Sequence, residues 1–155
     1  MIVDVKVRLA TLADADEIAA MSRDYIEHGL RWSWRYKRVA RSINDPETNV
    51  VVVGHQGRLA AFGIMSYSDD DAHLLLLAVR RANQRKGIGS AVLSWLEKVA
   101  RTAGAQRIQV EARADNSAAR NFYCAHGYHE CCIDSARYSS IIDGVRLEKW
   151  LRSAR

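Results

Sequence analysis

The stretch Gln84-Arg85-Lys86-Gly87-Ile88-Gly89-Ser90 places two glycines behind a basic run, between an apolar segment and a helical pattern. Successive backbone N–H groups at a helix start, with the helix dipole behind them, form a site for an anion. Glycines there remove Cβ atoms that would keep a pyrophosphate at a distance. Arg80, Arg81, Arg85 and Lys86 add positive charge. A P-loop needs lysine and Ser/Thr after its last glycine, whereas Lys86 precedes Gly87. A dinucleotide fingerprint needs three glycines, and this loop has two. The alternative is that Gly87 and Gly89 only start a helix and allow close packing, as glycine pairs do in plain turns.

Other reactive side chains are sparse. Cys124, Cys131 and Cys132 form no disulfide framework, and an odd number of thiols fits a reducing compartment. Neighbouring side chains on a strand point to opposite faces, so Cys131 and Cys132 do not form a ligand pair. No second ligand pair at zinc spacing is present, and no metal is expected. His126 and His129 have no partner identifiable from the sequence.

The elements that must position the loop follow from periodicity. Ile2 to Leu9 alternates like a strand, and Thr11 with Asp14 resembles a capping box. A helix to about His28 follows, with Ile18, Met21 and Tyr25 inward and Gly29 as its stop. Arg31 to Asn44 predicts a second helix. Trp32, Tyr36, Val39, Ala40 and Ile43 fall on one side of it, and Arg31, Arg35, Arg38 and Ser42 on the other. Val50–Gly54 and Leu59–Tyr67 read as a hairpin. Ala72–Val79 reads as a strand buried on both faces, because its apolar run is continuous. After the glycine loop come a helix to about Ala103, a strand over Arg107–Ala112 and a helix over Asn116–His126. Strands over Tyr128–Ile133 and Val145–Leu151 complete the chain. The order is βααβββαβαββ, a mixed α/β sheet with a strand–loop–helix at its centre.

The 155 residues suit one domain, spanning 1–155, with a real core; no linker, repeat or low-complexity tract divides it. The net charge of +5 fits an anionic partner, and a small phosphorylated cofactor satisfies it as well as nucleic acid does. The apolar run Leu74–Val79 is too short for a bilayer, and the N-terminus lacks the apolar core of a signal peptide. A cytoplasmic protein without membrane contact is expected.

"LLLLAVRRANQRKGIGSAVLSWLEKVARTAG" followed by "IQVEARADNSAARNFYCAHGYHE" resembles the GNAT superfamily of acetyl-CoA-dependent N-acetyltransferases. Gln84 to Gly89 resembles the family's signature loop, and Asn116, Ala119, Phe122, Tyr123 and Gly127-Tyr128 its second motif. The resemblance implies a mostly antiparallel central sheet flanked by helices, with acetyl-CoA as cosubstrate. The N–H groups of Arg85, Lys86, Gly87, Ile88, Gly89 and Ser90 would hold its pyrophosphate. Leu77, Ala78 and Val79 would pair with the pantetheine arm as an added strand would, and Asn116 would contact the same arm.

Acetyl transfer from a thioester to an amine requires a deprotonated amine, a donor for the oxyanion and a proton for the leaving thiolate. By resemblance, Tyr123 is the acid; a phenol with an ordinary pKa of about 10 stays protonated at neutral pH. Glu111 is the first choice as base. Its spacing to Asn116 and Tyr123 resembles that in the ribosomal-protein N-terminal alanine acetyltransferases, and burial would raise its pKa to a useful value. The alternative is that Glu111 only fixes the sheet. His73 is the runner-up base. Direct transfer needs no acyl-carrying thiol, so Cys124 reads as packing. The thioester oxygen would be held by a backbone N–H near Ala78, where strands of the family carry a bulge.

The resemblance places the acceptor pocket at about His28–Arg38 and Asp134–Asp143, with Trp32, Trp34, Tyr36 and Tyr138 as candidate lining. Arg31 and Arg35 would pair with a carboxylate or phosphate on the acceptor, or form a solvated basic face. Protein N-terminal acetyltransferases show paired tyrosines and an acidic stretch before the last strand. Here "ARYSSIIDGVRLEKW" holds Tyr138 alone, so a small amine and a protein N-terminus both stand as acceptors. A non-catalytic CoA-binding regulator is one rival reading. A nucleic-acid module is another, since "RWSWRYKR" mixes basic and aromatic residues. Those aromatics follow the apolar stripe of the expected helix, which argues against nucleic acid. A homodimer through the C-terminal strand is compatible with the pattern.

Overall fold

A computed structural model describes residues 5–138 and 142–151, with the backbone alone over 132–138 and 142–143. The strands are β1 (Arg8–Leu9), β2 (Thr48–His55), β3 (Arg58–Ser68), β4 (Asp71–Val79), β5 (Arg107–Arg113), β6 (His129–Tyr138) and β7 (Ile142–Trp150). The helices are α1 (Ala15–Tyr25), α2 (Tyr36–Asn44), α3 (Ile88–Thr102) and α4 (Ser117–Ala125), and short 3-10 turns precede α1 and the glycine loop. One sheet runs β1-β2-β3-β4-β5-β7-β6. All its pairs are antiparallel except β4 with β5.

Two apolar cores lie on its two faces. Ile18 and Met21 of α1 and Val39 of α2 pack with Val50, Phe62, Ile64, Leu76 and Ala78. Val92, Leu93 and Leu96 of α3 and Tyr123 of α4 pack with Val51, Met65, Leu74, Val110 and Leu147. The start of α1 is tied as its sequence suggests: the Thr11 N–H donates to the Asp14 carboxylate at 2.8 Å. Arg8 grips the same carboxylate with both terminal nitrogens, at 2.9 and 3.0 Å.

β4 decides where a site can form. Ile64 pairs with Leu76 but Met65 pairs with Leu74, so Leu75 is the extra residue of a bulge. The bulge inverts the alternation. Ala72 and Leu74 join the α3 core, whereas Leu76 and Ala78 join the α1/α2 core. The run of leucines serves both phases, which the expectation of two-sided burial missed: Leu75 is 43% exposed. The family bulge expected near Ala78 therefore lies at Leu75, and Ala78 sits in regular register opposite Phe62.

β4 and β5 pair only from Asp71–Arg107 to Leu74–Val110. Arg107 clamps that end, bonding Asp71 at 2.7 and 3.1 Å and Glu148 of β7 at 3.1 Å. Beyond it β5 follows β7 as far as Arg113, and the two central strands part. Leu75–Val79 then has no strand beside it on the β5 side. β7 lies between β5 and β6.

Two helical boundaries differ from expectation. α1 ends at Tyr25 instead of about His28, and α2 begins at Tyr36 instead of Arg31. Trp32 and Trp34 lie in the extended connection, and Tyr36 is 43% exposed instead of buried. The cause is a tertiary contact at Glu27, described below. Residues 2–4 of the expected first strand lie outside the described residues.

Candidate active site

The parted strands open two cavities that meet at the gap. One, of about 500 Å³, is lined by Leu77, Ala78, Val79, Gln84, Arg85, Gly87, Ile88, Gly89, Ser90, Asn116, Phe122 and Tyr123, among others. The other, of about 610 Å³, is walled by the α1–α2 connection, by Leu75–Leu77 and by Val110–Arg113. Tyr25, Leu77, Asn116, Ala119 and Tyr123 line both.

Of the residues expected to hold or surround the anion, Arg85, Gly87, Ile88, Gly89 and Ser90 line the first cavity, whereas Arg80, Arg81 and Lys86 do not. Gly87 holds φ +80 as the residue capping α3, a left-handed conformation natural to glycine. The first-turn N–H groups that follow have no partner within the helix, which is what an anion requires. A Cβ at Gly89 would meet Phe122 and Val79 at 3.4 Å, an ordinary contact, and Gly89 itself lines the cavity. Gln84 donates through its side-chain nitrogen to the Val79 carbonyl at 3.0 Å, tying the loop to the end of β4. Arg80 is not part of the basic rim: it bonds Glu17 at 2.8 Å and the Leu59 carbonyl at 2.8 Å.

Asn116 caps α4, its side-chain oxygen accepting the Ala119 N–H at 3.1 Å. Its amide N–H₂ is left as the group to meet a ligand carbonyl. Tyr123 is buried, 6% exposed, and stands at the junction of the cavities. Glu111 is half-buried and lines only the 610 Å³ cavity, on the sheet face that carries α1 and α2; Arg146 stands opposite it in register. His73 lines neither cavity and lies on the closed side of the bulge. Cys124 is exposed on α4 and lines neither cavity.

The second cavity's wall is built by a residue the sequence reading passed over. Glu27, 8% exposed, accepts from the Ser22 hydroxyl at 3.0 Å, the Ser33 N–H at 2.8 Å and hydroxyl at 2.5 Å, and the Trp34 N–H at 3.2 Å. N–H groups held in this way keep the segment extended and start α2 late. Arg113, 9% exposed, fastens the same connection to β5 through the His28 carbonyl at 2.8 Å. Trp34 is buried and Arg38 stacks on it at 3.9 Å, while Arg23 and Arg35 lie 5.3 and 4.7 Å from the Trp32 ring centre. Trp32 and Trp34 line the cavity with Arg31, but Arg35 and Tyr36 do not. Residues 139–141 lie outside the described residues, as do the side chains of 132–143, Tyr138 included. The sequence signal for Glu27 was a lone acid next to a helix stop, which resembles an ordinary surface residue.

The acetyltransferase (GNAT) family profile matches residues 14–128. The [ribosomal protein bS18]-alanine N-acetyltransferase of Escherichia coli K12 is 30% identical over 125 residues, covering 81% of this chain and 82% of the relative. A streptothricin acetyltransferase from Streptomyces lavendulae is 33% identical over 90 residues, covering 57% of this chain and 48% of the relative. The crystal structure of the Escherichia coli ribosomal-protein-S18-alanine N-acetyltransferase superposes with a TM-score of 0.82 at 24% identity, covering 98% and 97% of the two chains, and shares the fold.

Proposed function

The chain belongs to the GNAT family of acetyl-CoA-dependent N-acetyltransferases, and from that premise we propose how its residues divide the work of moving acetyl to a primary amine. One observation carries the reading. Tyr123 and Asn116 line both cavities, whereas Glu111 lines only the 610 Å³ one and the glycine loop only the other. An acid at the junction, a base on one side and an anion cradle on the other suit direct transfer between two bound substrates.

When bound, acetyl-CoA supplies the acetyl thioester. The left-handed Gly87 and the α3 N-terminus fit its diphosphate, and the unpaired edge of Leu77–Val79 fits the amides of its arm. Glu111 takes a proton from the incoming ammonium, directly or through water. Tyr123 holds its hydroxyl proton where the thiolate departs. The backbone beside the Leu75 bulge, facing the gap, is the place for an oxyanion donor.

The acceptor is a primary amine on a small molecule or on a protein N-terminus. A cavity of about 610 Å³ is within the usual range for small-molecule sites. The bS18-alanine and streptothricin enzymes represent the two acceptor classes. The tryptophans of the basic stretch are covered by the chain's own arginines, which speaks against base stacking. The thiol of Cys124 fits a cytoplasmic setting. The whole chain is taken as one such domain.

The test is mass-spectrometric detection of acetyl transfer to a panel of peptides with free N-termini, amino acids and small amines, with Glu111→Gln and Tyr123→Phe alongside. Product formation that falls about 10²-fold or more in both variants is expected. No product with cofactor binding intact would favour a regulator, and loss of both would refute the reading.

A further inference from the structure

His126 and Ser90 meet behind the diphosphate end of the 500 Å³ cavity. His126 Nδ1 lies 2.8 Å from the Phe122 carbonyl oxygen, and Nε2 lies 2.9 Å from the Ser90 hydroxyl. A carbonyl only accepts, so Nδ1 carries a proton in either charge state. Nε2 of the neutral ring must then accept, and Ser90 spends its only proton on it. Protonation of the ring reverses the bond. Nε2–H donates to the Ser90 oxygen, and the hydroxyl proton is released to another acceptor. Ser90 is the third residue of α3 and lines the cavity beside Gly87 and Gly89. The ring is held against Phe122, 4.4 Å between centres.

We propose that His126 is a positioning residue for the cofactor's diphosphate: the protonated ring turns the Ser90 hydroxyl into a donor toward the anion and adds a positive charge behind it. Cofactor binding and protonation of His126 therefore favour each other. The inference rests on the acetyl-CoA reading of this cavity.

The neighbouring charges are accounted for. On β7, Lys149 donates to the His126 carbonyl at 2.9 Å and to Glu97 of α3 at 3.1 Å, and Tyr128 donates to the same Glu97 at 2.9 Å. On α4, Arg120 is bound by Glu130 at 2.7 Å; Cys124 and Tyr123 complete that helix's titratable groups. Arg85 and Lys86 of the loop supply further positive charge. Histidine is the residue type that changes charge near neutrality, and His126 is the histidine in this set.

The probe is dephospho-CoA, which keeps the diphosphate but lacks the 3′-phosphate that ionises in the same range. Its Kd is measured calorimetrically from about pH 8 to about pH 5.5, spanning the histidine range. Wild type binds about tenfold more tightly at the acid end, the worth of a charge-assisted hydrogen bond. His126→Gln and Ser90→Ala lose most of that dependence. In NMR spectra of wild type, the His126 titration moves to higher pH when dephospho-CoA is added. Binding that is independent of pH in wild type, equal dependence in His126→Gln, or an unmoved titration overturns the inference. If His126→Gln does not fold, Ser90→Ala and the titration decide it. Absence of binding at every pH overturns the cofactor reading together with this one.

Discussion

At the scale of single residues, the proposed roles of Glu111 as base and Tyr123 as acid predict distinguishable losses. Glu111→Gln is expected to lower kcat/KM by about 10²–10⁴ at neutral pH. Its deficit shrinks as pH rises, because solution then deprotonates the amine without help. Tyr123→Phe has no such recovery. Profiles of kcat/KM against pH check both. If Glu111 only braces the sheet across from Arg146, the Gln variant loses thermal stability and keeps its kcat/KM. Both residues were named from spacing and resemblance before any geometry, as were Asn116 and the glycine loop. The spacing could not show that Gly87 alone of the pair takes a left-handed backbone, because both conformations leave the same letter. At Gly87, φ is +80, and alanine there is strained by about 1–2 kcal/mol. Gly87→Ala is expected to weaken CoA binding by about tenfold, and Gly89→Ala by about twofold. Titration of CoA against each variant checks the order.

At the scale of elements, the α1–α2 connection is the part that periodicity misread. An apolar residue every third or fourth position extended the second helix back to Arg31. Glu27 instead collects the Ser33 and Trp34 N–H groups and holds that stretch extended. Such a contact joins residues six and seven positions apart through one buried side chain, which no local pattern encodes. Glu27→Gln puts a donor among four donors and costs the connection about 2 kcal/mol. The expected result is a raised acceptor KM with an unchanged acetyl-CoA Kd, read by steady-state kinetics and calorimetry. The misassigned phase of β4 has a similar origin. Four consecutive leucines satisfy either phase, and only pairing with β3 places the bulge at Leu75.

At the scale of the whole molecule, charge pairing sets the pH range of stability. Arg8 beside Asp14, and Arg107 beside Asp71, hold those carboxyls below the usual range through hydrogen-bonded ion pairs. Their contribution is present above the ordinary carboxylate value of about 4 and is lost as pH falls through the lowered one. Burial, with Glu97 at its hydroxyl, pushes the Tyr128 phenol up. That contribution is present below about pH 10 and is lost as pH rises through the raised value. Thermal unfolding across pH is expected to show a plateau falling at both ends. Arg8→Gln lowers the plateau and removes the Asp14 part of the acid fall, and Tyr128→Phe flattens the alkaline one.

The sequence by itself determined the strand–glycine loop–helix unit and the family, because these rest on local signals: helix starts, apolar alternation and motifs of fixed spacing. Tertiary structure alone decided that β4 and β5 part beyond Leu74, that the two cavities join at Tyr123, and which of the polar residues face them. Those outcomes depend on pairings between distant segments, such as Arg107 with Asp71 and Glu148, Arg113 with the His28 carbonyl, and Lys149 with Glu97. A chain of letters carries no distance between residues 36, 85 or 52 positions apart until the sheet brings them together.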